Sequence, residues 1–163
     1  MQFLIFSDSH GNYRPMAEVI RRHPEVRTVL FLGDGLADLE QLYPLFPQHT
    51  FRAVRGNMDF LAREAEDLSL FSLFSCRVLM MHGHTHGVKG GVGGALCEAK
   101  RQGARVLLYG HTHQPENRYL PEEEIYLFNP GSIGRPHDGI PRYGLLDILP
   151  NGSLMLSHGE LKR

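Results

Sequence analysis

Seven side chains with metal-binding groups follow directly after short apolar runs of this sequence. They are two carboxylates, one amide and four imidazoles: Asp8, His10, Asp34, Asn57, His82, His111 and His113. Oxygen and imidazole ligands without thiolate favour Mn, Fe, Co, Ni or Zn over Ca or Mg. If the seven side chains meet in the folded protein, they predict a site for two divalent transition-metal ions.

The charge of such a site indicates its substrate. Two divalent ions bring four positive charges, the carboxylates of Asp8 and Asp34 return two, and a bridging hydroxide removes one more. The remaining positive charge attracts a phosphate anion. Two ions about 3.5–4 Å apart can activate the hydroxide and hold phosphoryl oxygens during in-line attack. The predicted chemistry is therefore hydrolysis of a phosphate ester.

The spacing of the ligands suggests how they share the ions. Asp8 and His10 are two residues apart, as are His111 and His113. In an extended chain alternate residues face the same side, so each pair is predicted to bind one ion. Asp34 has two carboxylate oxygens and can bridge both ions.

The apolar runs before these residues are typical of buried strands. Strands are predicted at 2–6, 28–32, 50–54, 77–81, 105–109 and 124–128, and amphipathic helices at 13–23, 36–46 and 93–102. Residues 58–72 show no regular pattern, and the chain closes with a predicted β-hairpin that turns at Asn151-Gly152. If the strands are parallel, their carboxyl ends bring the ligands to one edge.

The composition predicts an ordinary globular protein with a single domain over 1–163. A net charge of −1 gives no indication of a nucleic-acid partner. Two cysteines without a disulfide pattern and the absence of a long apolar stretch predict a cytoplasmic protein without a membrane partner. Cys76 and Cys97 are expected to be packing residues. The apolar residues Leu70, Phe71, Leu73 and Phe74 are expected in the core or in a homo-oligomer interface, the alternative being an exposed protein-binding patch.

Five motifs in order resemble the calcineurin-like metallophosphoesterase superfamily. They are Asp8-x-His10, Gly33-Asp34, Gly56-Asn57, His82-Gly83-His84 and Gly110-His111-Thr112-His113. The resemblance covers residues 1 to 135. It includes Asn129-Pro130-Gly131-Ser132, which is typical of the small single-domain bacterial and archaeal phosphodiesterases of this superfamily. Those enzymes are also similar to the retromer scaffold subunit, which has lost catalysis.

The resemblance implies an α/β fold, a four-layer α/β/β/α sandwich with the metals at one edge. It implies that the first ion is held by Asp8, His10 and His113, the second by Asn57, His82 and His111, and that Asp34 bridges them. It also implies hydrolysis of a small phosphoester substrate, with Mn²⁺ as the first choice of metal and Fe, Ni, Co or Zn as alternatives.

One position departs from the superfamily pattern. Many members have a histidine after Gly-Asn that protonates the leaving group, but here Met58 stands at that position. His84 is the first candidate for a replacement acid, and the alternative is a supporting or structural role. The predicted catalytic residues are therefore Asp34, Asn57 and His84. Asp59 is expected either to orient a ligand or to face solvent.

Three functions stay open on the sequence. The first is a dinuclear phosphodiesterase, which is favoured because a compact chain without an inserted cap leaves an open site. The second is a phosphomonoesterase or nucleotidase on the same site. The third is a catalytically inactive protein-binding scaffold, which is disfavoured because all seven expected ligands are present.

Overall fold

A computed structural model describes residues 1–162, so Arg163, the last residue of the predicted domain, lies outside the described residues. The strands are β1 (Gln2–Phe6), β2 (Thr28–Phe31), β3 (Thr50–Ala53), β4 (Leu68–Leu73), β5 (Cys76–Met81), β6 (Val106–Tyr109), β7 (Pro115–Leu120), β8 (Ile125–Pro130), β9 (Arg142–Ile148) and β10 (Leu154–Glu160). The helices are α1 (Arg14–Arg22), α2 (Leu36–Leu42) and α3 (Gly93–Arg101), and His84–His86 form a single 3₁₀ turn.

The strands form two five-stranded sheets with orders β10-β9-β1-β2-β3 and β4-β5-β6-β8-β7. In the first sheet β1, β2 and β3 are parallel, and β9 and β10 extend it in antiparallel fashion. In the second sheet β5, β6 and β8 are parallel, and β4 and β7 are its antiparallel edges. Each sheet thus has three parallel strands whose carboxyl ends share one edge.

The apolar side chains pack in three layers. Between the sheets, residues such as Ile5 and Leu30 of the first sheet meet Val78 and Phe128 of the second. The outer face of the first sheet is covered by α1 and α2 through a cluster that includes Met16, Val19, Ile20 and Leu39. The outer face of the second sheet is covered by α3 through Ala95 and Ala99. This arrangement confirms the predicted α/β/β/α sandwich.

Two strands were not predicted, β4 and β7. Pro115–Leu120 is a mostly exposed edge strand, so its sequence PENRYL has no apolar face to reveal it. Leu68–Leu73 lies in the stretch predicted to be irregular, and its pairing with β5 gives it strand structure. In this strand Phe71 and Leu73 pack against the core, whereas Phe74 in the following turn is exposed. The C-terminal hairpin is confirmed, with Gly152 at φ 82° in its turn.

Of the two cysteine predictions, one is confirmed and the other is wrong. Cys76 is buried in the core between the sheets, as predicted, but Cys97 is exposed on α3, so its prediction as a packing residue is wrong. No helix within residues 1–162 is long and apolar enough to span a membrane.

Candidate metal centre

The predicted ligands lie where parallel strands end. Asp8 and His10 follow β1, Asp34 follows β2 and Asn57 follows β3 in the first sheet, while His82 follows β5 and His111 and His113 follow β6 in the second. Potential ligand atoms from the two sheets lie within 4.8 Å of one another, so both rows of strand ends face the same edge of the molecule. The edge between the sheets therefore brings together residues from five separate loops.

Six of these side chains form two groups. One consists of Asp8, His10 and His113, the other of Asp34, His82 and His111, and in each group the potential ligand atoms lie within 4.8 Å of one another. Asn57 joins the second group, since its Oδ1 is 3.2 Å from Nε2 of His82. These are the groupings that the superfamily resemblance implies for the two ions.

Asp34 lies between the two groups. Its Oδ2 is 3.5 Å from Nε2 of His82 in the second group and 3.9 Å from Nε2 of His10 in the first. Its Oδ1 accepts a hydrogen bond from the backbone N–H of Met58 at 2.7 Å, which holds the carboxylate in place. A single carboxylate oxygen near both groups is the geometry that a bridging ligand requires.

Backbone carbonyls orient two of the imidazoles. Nδ1 of His82 is 2.7 Å from the carbonyl oxygen of Leu32, and Nδ1 of His113 is 2.8 Å from that of Arg135. A carbonyl oxygen can only accept, so each Nδ1 carries a proton and each Nε2 faces the site as a ligand atom. Neither carbonyl contact could be found from residue types, because every residue has a carbonyl.

Asp8 carries a buried oxygen that suits a cation. Its Oδ2 accepts from Oγ of Ser7 at 2.5 Å and from the N–H of His111 at 3.2 Å. Its Oδ1 is fully buried and has no hydrogen-bond partner within residues 1–162. Nε2 of His113 lies 3.2 Å from that oxygen, and Nε2 of His10 lies 3.1 Å from the same nitrogen. A divalent ion fits among these atoms because it satisfies all of them at once.

The pKa values show how strongly the groups interact. Burial favours the neutral form of Asp34, but contact with His82 and the N–H of Met58 outweigh it and lower its pKa to about 2. Burial also opposes a charge on His82, yet contact with Asp34 and the charge of Asp8 raise its pKa above 6.5. Contact with Asp8 raises the pKa of His113 as well. Burial, followed by the neighbouring His82, lowers the pKa of His111 to about 4.

The ligand backbone differs from the sequence-based expectation. Asp8, His10, Asp34, His111 and His113 have φ between 48° and 67°, in the left-handed region, so the extended geometry predicted for the two i, i+2 pairs is wrong. The pair at 111 and 113 does not bind one ion but divides between the two groups. Five of the seven non-glycine residues with positive φ in the described chain are thus predicted ligands. Such conformations are uncommon outside glycine and cluster at functional sites.

Asp59 is a supporting residue whose role the sequence left open. It is buried, and its two carboxylate oxygens accept from four backbone N–H groups, those of Asp34, Gly35, Leu36 and Gly56, at 2.8–2.9 Å. It therefore ties the loop after β2 to the loop after β3. Its spacing two residues after Asn57 was the available signal, but the burial could not be read from it.

Asp38 supports the other side of the site in the same way. It lies on α2, and its Oδ2 accepts from Oγ of Ser9 at 2.5 Å and from the N–H of Gly11 at 2.9 Å. These bonds hold the loop that carries Asp8 and His10. The sequence prediction did not include Asp38.

The Asn129–Ser132 motif is fully buried and supports the ligand loops. Asn129 Nδ2 donates to the carbonyl of Gly110 at 3.0 Å and to Oγ1 of Thr112 at 3.1 Å, and Ser132 Oγ donates to the carbonyl of Asp8 at 2.8 Å. These contacts give the motif a supporting role.

The predicted acid, His84, lies beside the second group. Its ring centroid is 5.4 Å from that of His82 and 6.2 Å from that of His111. Its Nδ1 is buried and has no hydrogen-bond partner within residues 1–162. Burial and the neighbouring His82 lower its pKa below 6.5. The catalytic roles of His84, Asp34 and Asn57 stay predictions.

Comparison with known proteins assigns the family. The model of the calcineurin-like phosphoesterase superfamily domain matches residues 1–150, which include every residue of both ligand groups. The chain belongs to this superfamily. The superfamily is one of metal-dependent phosphoesterases, and the two ligand groups support divalent-metal binding.

Similar proteins agree with this assignment. The probable metallophosphoesterase YsnB of Bacillus subtilis (strain 168) is 34% identical over 136 residues, which cover 83% of this chain and 77% of YsnB. Phosphodiesterase YfcE of Escherichia coli (strain K12) is 36% identical over 112 residues, 61% of this chain and 53% of YfcE. The crystal structure of a predicted phosphoesterase from Streptococcus pneumoniae TIGR4 superposes with a TM-score of 0.76 at 25% identity, covering 98% of this chain and 97% of that one.

Proposed function

We propose that this calcineurin-like phosphoesterase hydrolyses phosphodiester bonds with two divalent transition-metal ions, Mn²⁺ being the first choice. The observation that supports the proposal best is the position of Asp34 Oδ2, within 4 Å of an imidazole nitrogen from each ligand group. When bound, such ions would supply Lewis-acid chemistry for attack of water on a phosphate ester.

Each residue of the site has a distinct proposed role. Asp8, His10 and His113 would hold the first ion, and Asn57, His82 and His111 would hold the second. Asp34 would contact both, and its pKa of about 2 keeps its carboxylate charged at neutral pH. His84, beside the second group, is the proposed proton donor to the leaving group, in place of the histidine that Met58 replaces.

A diester is proposed over a monoester because the site is open. The pocket that adjoins the second group is lined by loop residues, including Asn57, Arg63 and His84, with no inserted domain across it. The relative YfcE is named as a phosphodiesterase, which favours the same choice. An open site leaves space for a substituent on each side of the phosphate.

The test is hydrolysis of bis-p-nitrophenyl phosphate by the purified protein with added Mn²⁺. We expect activity that EDTA abolishes, a lower rate on p-nitrophenyl phosphate, and at least a ~100-fold loss in Asp34→Asn because the bridge between the ions is weakened. Asp147→Asn, a carboxylate at the distant β9–β1 pair, is the matched control and should keep full activity. A protein loaded with metal but inactive on both esters would contradict the proposal.

A further inference from the structure

A short run of exposed apolar side chains follows the candidate metal ligand Asn57 in the sequence. Met58, Phe60 and Leu61 directly follow Asn57, and they are 50%, 63% and 99% exposed. They account for three of the ten large exposed hydrophobic residues in the described chain, within four positions. Apolar side chains concentrated in this way at the mouth of a site indicate a binding surface.

The backbone that presents these side chains is anchored. Asp59, in the middle of the segment, is buried and accepts from four backbone N–H groups of the loops after β2 and β3. The N–H of Met58 donates to Asp34 Oδ1 at 2.7 Å. The segment is therefore ordered before any ligand binds, which lowers the entropy cost of binding.

Phe60 lines a cavity that borders the second ligand group at Asn57. The cavity has a volume of about 530 Å³, and its walls are Arg55, Gly56, Asn57, Asp59, Phe60, Arg63 and His84. Asn57 belongs to the second ligand group, and His84 is the proposed proton donor. A leaving group that departs toward His84 therefore enters the space beside Phe60. The volume suits a small organic group.

The charges around the cavity favour an anionic aromatic ligand. The guanidinium of Arg55 is engaged by Asp67, with Nε and Nη2 at 3.0 and 2.8 Å from Oδ1. Arg63 is exposed and makes no ion pair within residues 1–162. An exposed phenyl ring together with a guanidinium suits a flat ring attached to a phosphate, since bases stack on aromatic side chains and guanidinium planes.

We propose that Phe60 and Arg63 form a subsite for an aromatic substituent of the phosphodiester, a nucleobase in the case of nucleotide esters. The inference rests on the proposed function, because it places the substituent of a phosphate that the metal centre binds. It adds a substrate class to that function: diesters with a ring on one side are preferred over diesters with aliphatic groups only.

The sequence contains no tryptophan, so one can be introduced as a specific probe. In the full chain loaded with Mn²⁺, the Phe60→Trp variant is titrated with adenosine 5′-monophosphate and with ribose 5-phosphate, which lacks the ring. We expect saturable quenching of the indole by the nucleotide, with an apparent Kd at least ~5-fold lower than for ribose 5-phosphate. The matched control is Phe74→Trp, an exposed phenylalanine in the β4–β5 turn at the opposite end of the strands, where no saturable quenching is expected.

A second measurement uses the native ring. Inhibition of bis-p-nitrophenyl phosphate hydrolysis by the two phosphates is compared between the wild type and Phe60→Ala. The variant should lose affinity for the nucleotide and keep that for ribose 5-phosphate. Equal binding of the two phosphates to Phe60→Trp overturns the subsite whether or not the wild type hydrolyses the ester. A wild type without metal-dependent hydrolysis overturns the proposed function instead, and the fluorescence titration still decides the subsite.

Discussion

At the scale of single residues, the ligands are held in backbone conformations that their side chains disfavour. His10 has φ 48°, and its N–H donates to the carbonyl of Asp34 at 3.0 Å, while the N–H of Asp8 donates to the carbonyl of Gly33 at 3.0 Å. These bonds between the loops after β1 and β2 impose the left-handed turn. The turn directs the ligand side chains to one edge, so backbone strain is part of how the site is built.

Because of this strain, glycine at position 10 should give a more stable protein than alanine, which is the reverse of the usual order. In metal-free protein, His10→Gly should be more stable than His10→Ala by about 1 kcal/mol, because a left-handed φ costs an L-residue roughly 1–2 kcal/mol and glycine nothing. Urea unfolding with EDTA present measures the difference. The same pair at Arg21, inside α1, is the control and should show the usual order with alanine more stable. Equal stability of the two position-10 variants would contradict the strain.

The proposed role of His84 as proton donor predicts a dependence on the leaving group. His84→Gln should lower kcat for a diester with a poor alkyl leaving group by ~100-fold or more, because general acid catalysis contributes about that much. For p-nitrophenyl esters, which leave without a proton, the effect should be small. Rates on both classes of diester, measured with the same metal loading, check the prediction. His86→Gln, at the end of the same 3₁₀ turn, is the control. An equal loss on both classes would mean that His84 only supports the metal centre.

At the scale of elements, the buried carboxylates of Asp59 and Asp38 hold the ligand-bearing loops in place. Asp59 ties the loop after β2 to the loop after β3, and Asp38 on α2 holds the loop after β1. The first therefore supports Asp34 and Asn57 of the second ligand group. The second carboxylate supports Asp8 and His10 of the first group. The parallel strands bring the loops to one edge, and these two residues fix their conformations.

Substitution of the two carboxylates should affect different ions. Asp59→Asn places amide hydrogens against backbone N–H donors and should weaken binding of the second ion about 10–100-fold. Asp38→Asn should mainly weaken binding of the first ion. Calorimetric titration with Mn²⁺, together with metal content after dialysis, measures both affinities. Each variant is the other's control. Loss of both ions to the same extent in both variants would contradict this division.

At the scale of the whole molecule, the metal centre joins the two sheets. Asp8, His10, Asp34 and Asn57 come from the first sheet, and His82, His111 and His113 from the second. Ions bound at this edge would link the two layers across the central core. We therefore expect metal binding to stabilise the packing of the sheets as well as the site itself.

This link predicts a metal-dependent and pH-dependent melting temperature. Mn²⁺ at about 100 times its Kd should add about 2.7 kcal/mol, or roughly 5–10 °C in Tm. The pKa values of His82 and His113 are raised above 6.5, so protons occupy these ligands as the pH falls through the raised values and compete with the metal. The gain in Tm should thus be larger at about pH 8 than at about pH 6. Thermal melts with Mn²⁺ and with EDTA at both pH values measure it, and a gain that grows as the pH falls would contradict the prediction.

The sequence alone determined the kinds of ligand and their place after strands, and its resemblance to the superfamily implied the four-layer sandwich. Apolar runs such as QFLIF and VLLY must be buried, and the carboxyl ends of parallel strands must share an edge. The polar edge strand β7 escaped prediction because an exposed strand needs no apolar pattern.

Only the tertiary structure decided how the ligands divide and what holds them. His111 and His113 separate because a left-handed turn lies between them, and such a turn depends on contacts that local residue types do not specify. The carboxylate of Asp59 accepts from the N–H of Asp34, which lies 25 positions earlier in the chain. The backbone carbonyl of Arg135 accepts from His113, which lies 22 positions earlier, and every residue possesses such a carbonyl. Contacts of this kind arise from the packing of distant loops, and no local pattern in the chain encodes them.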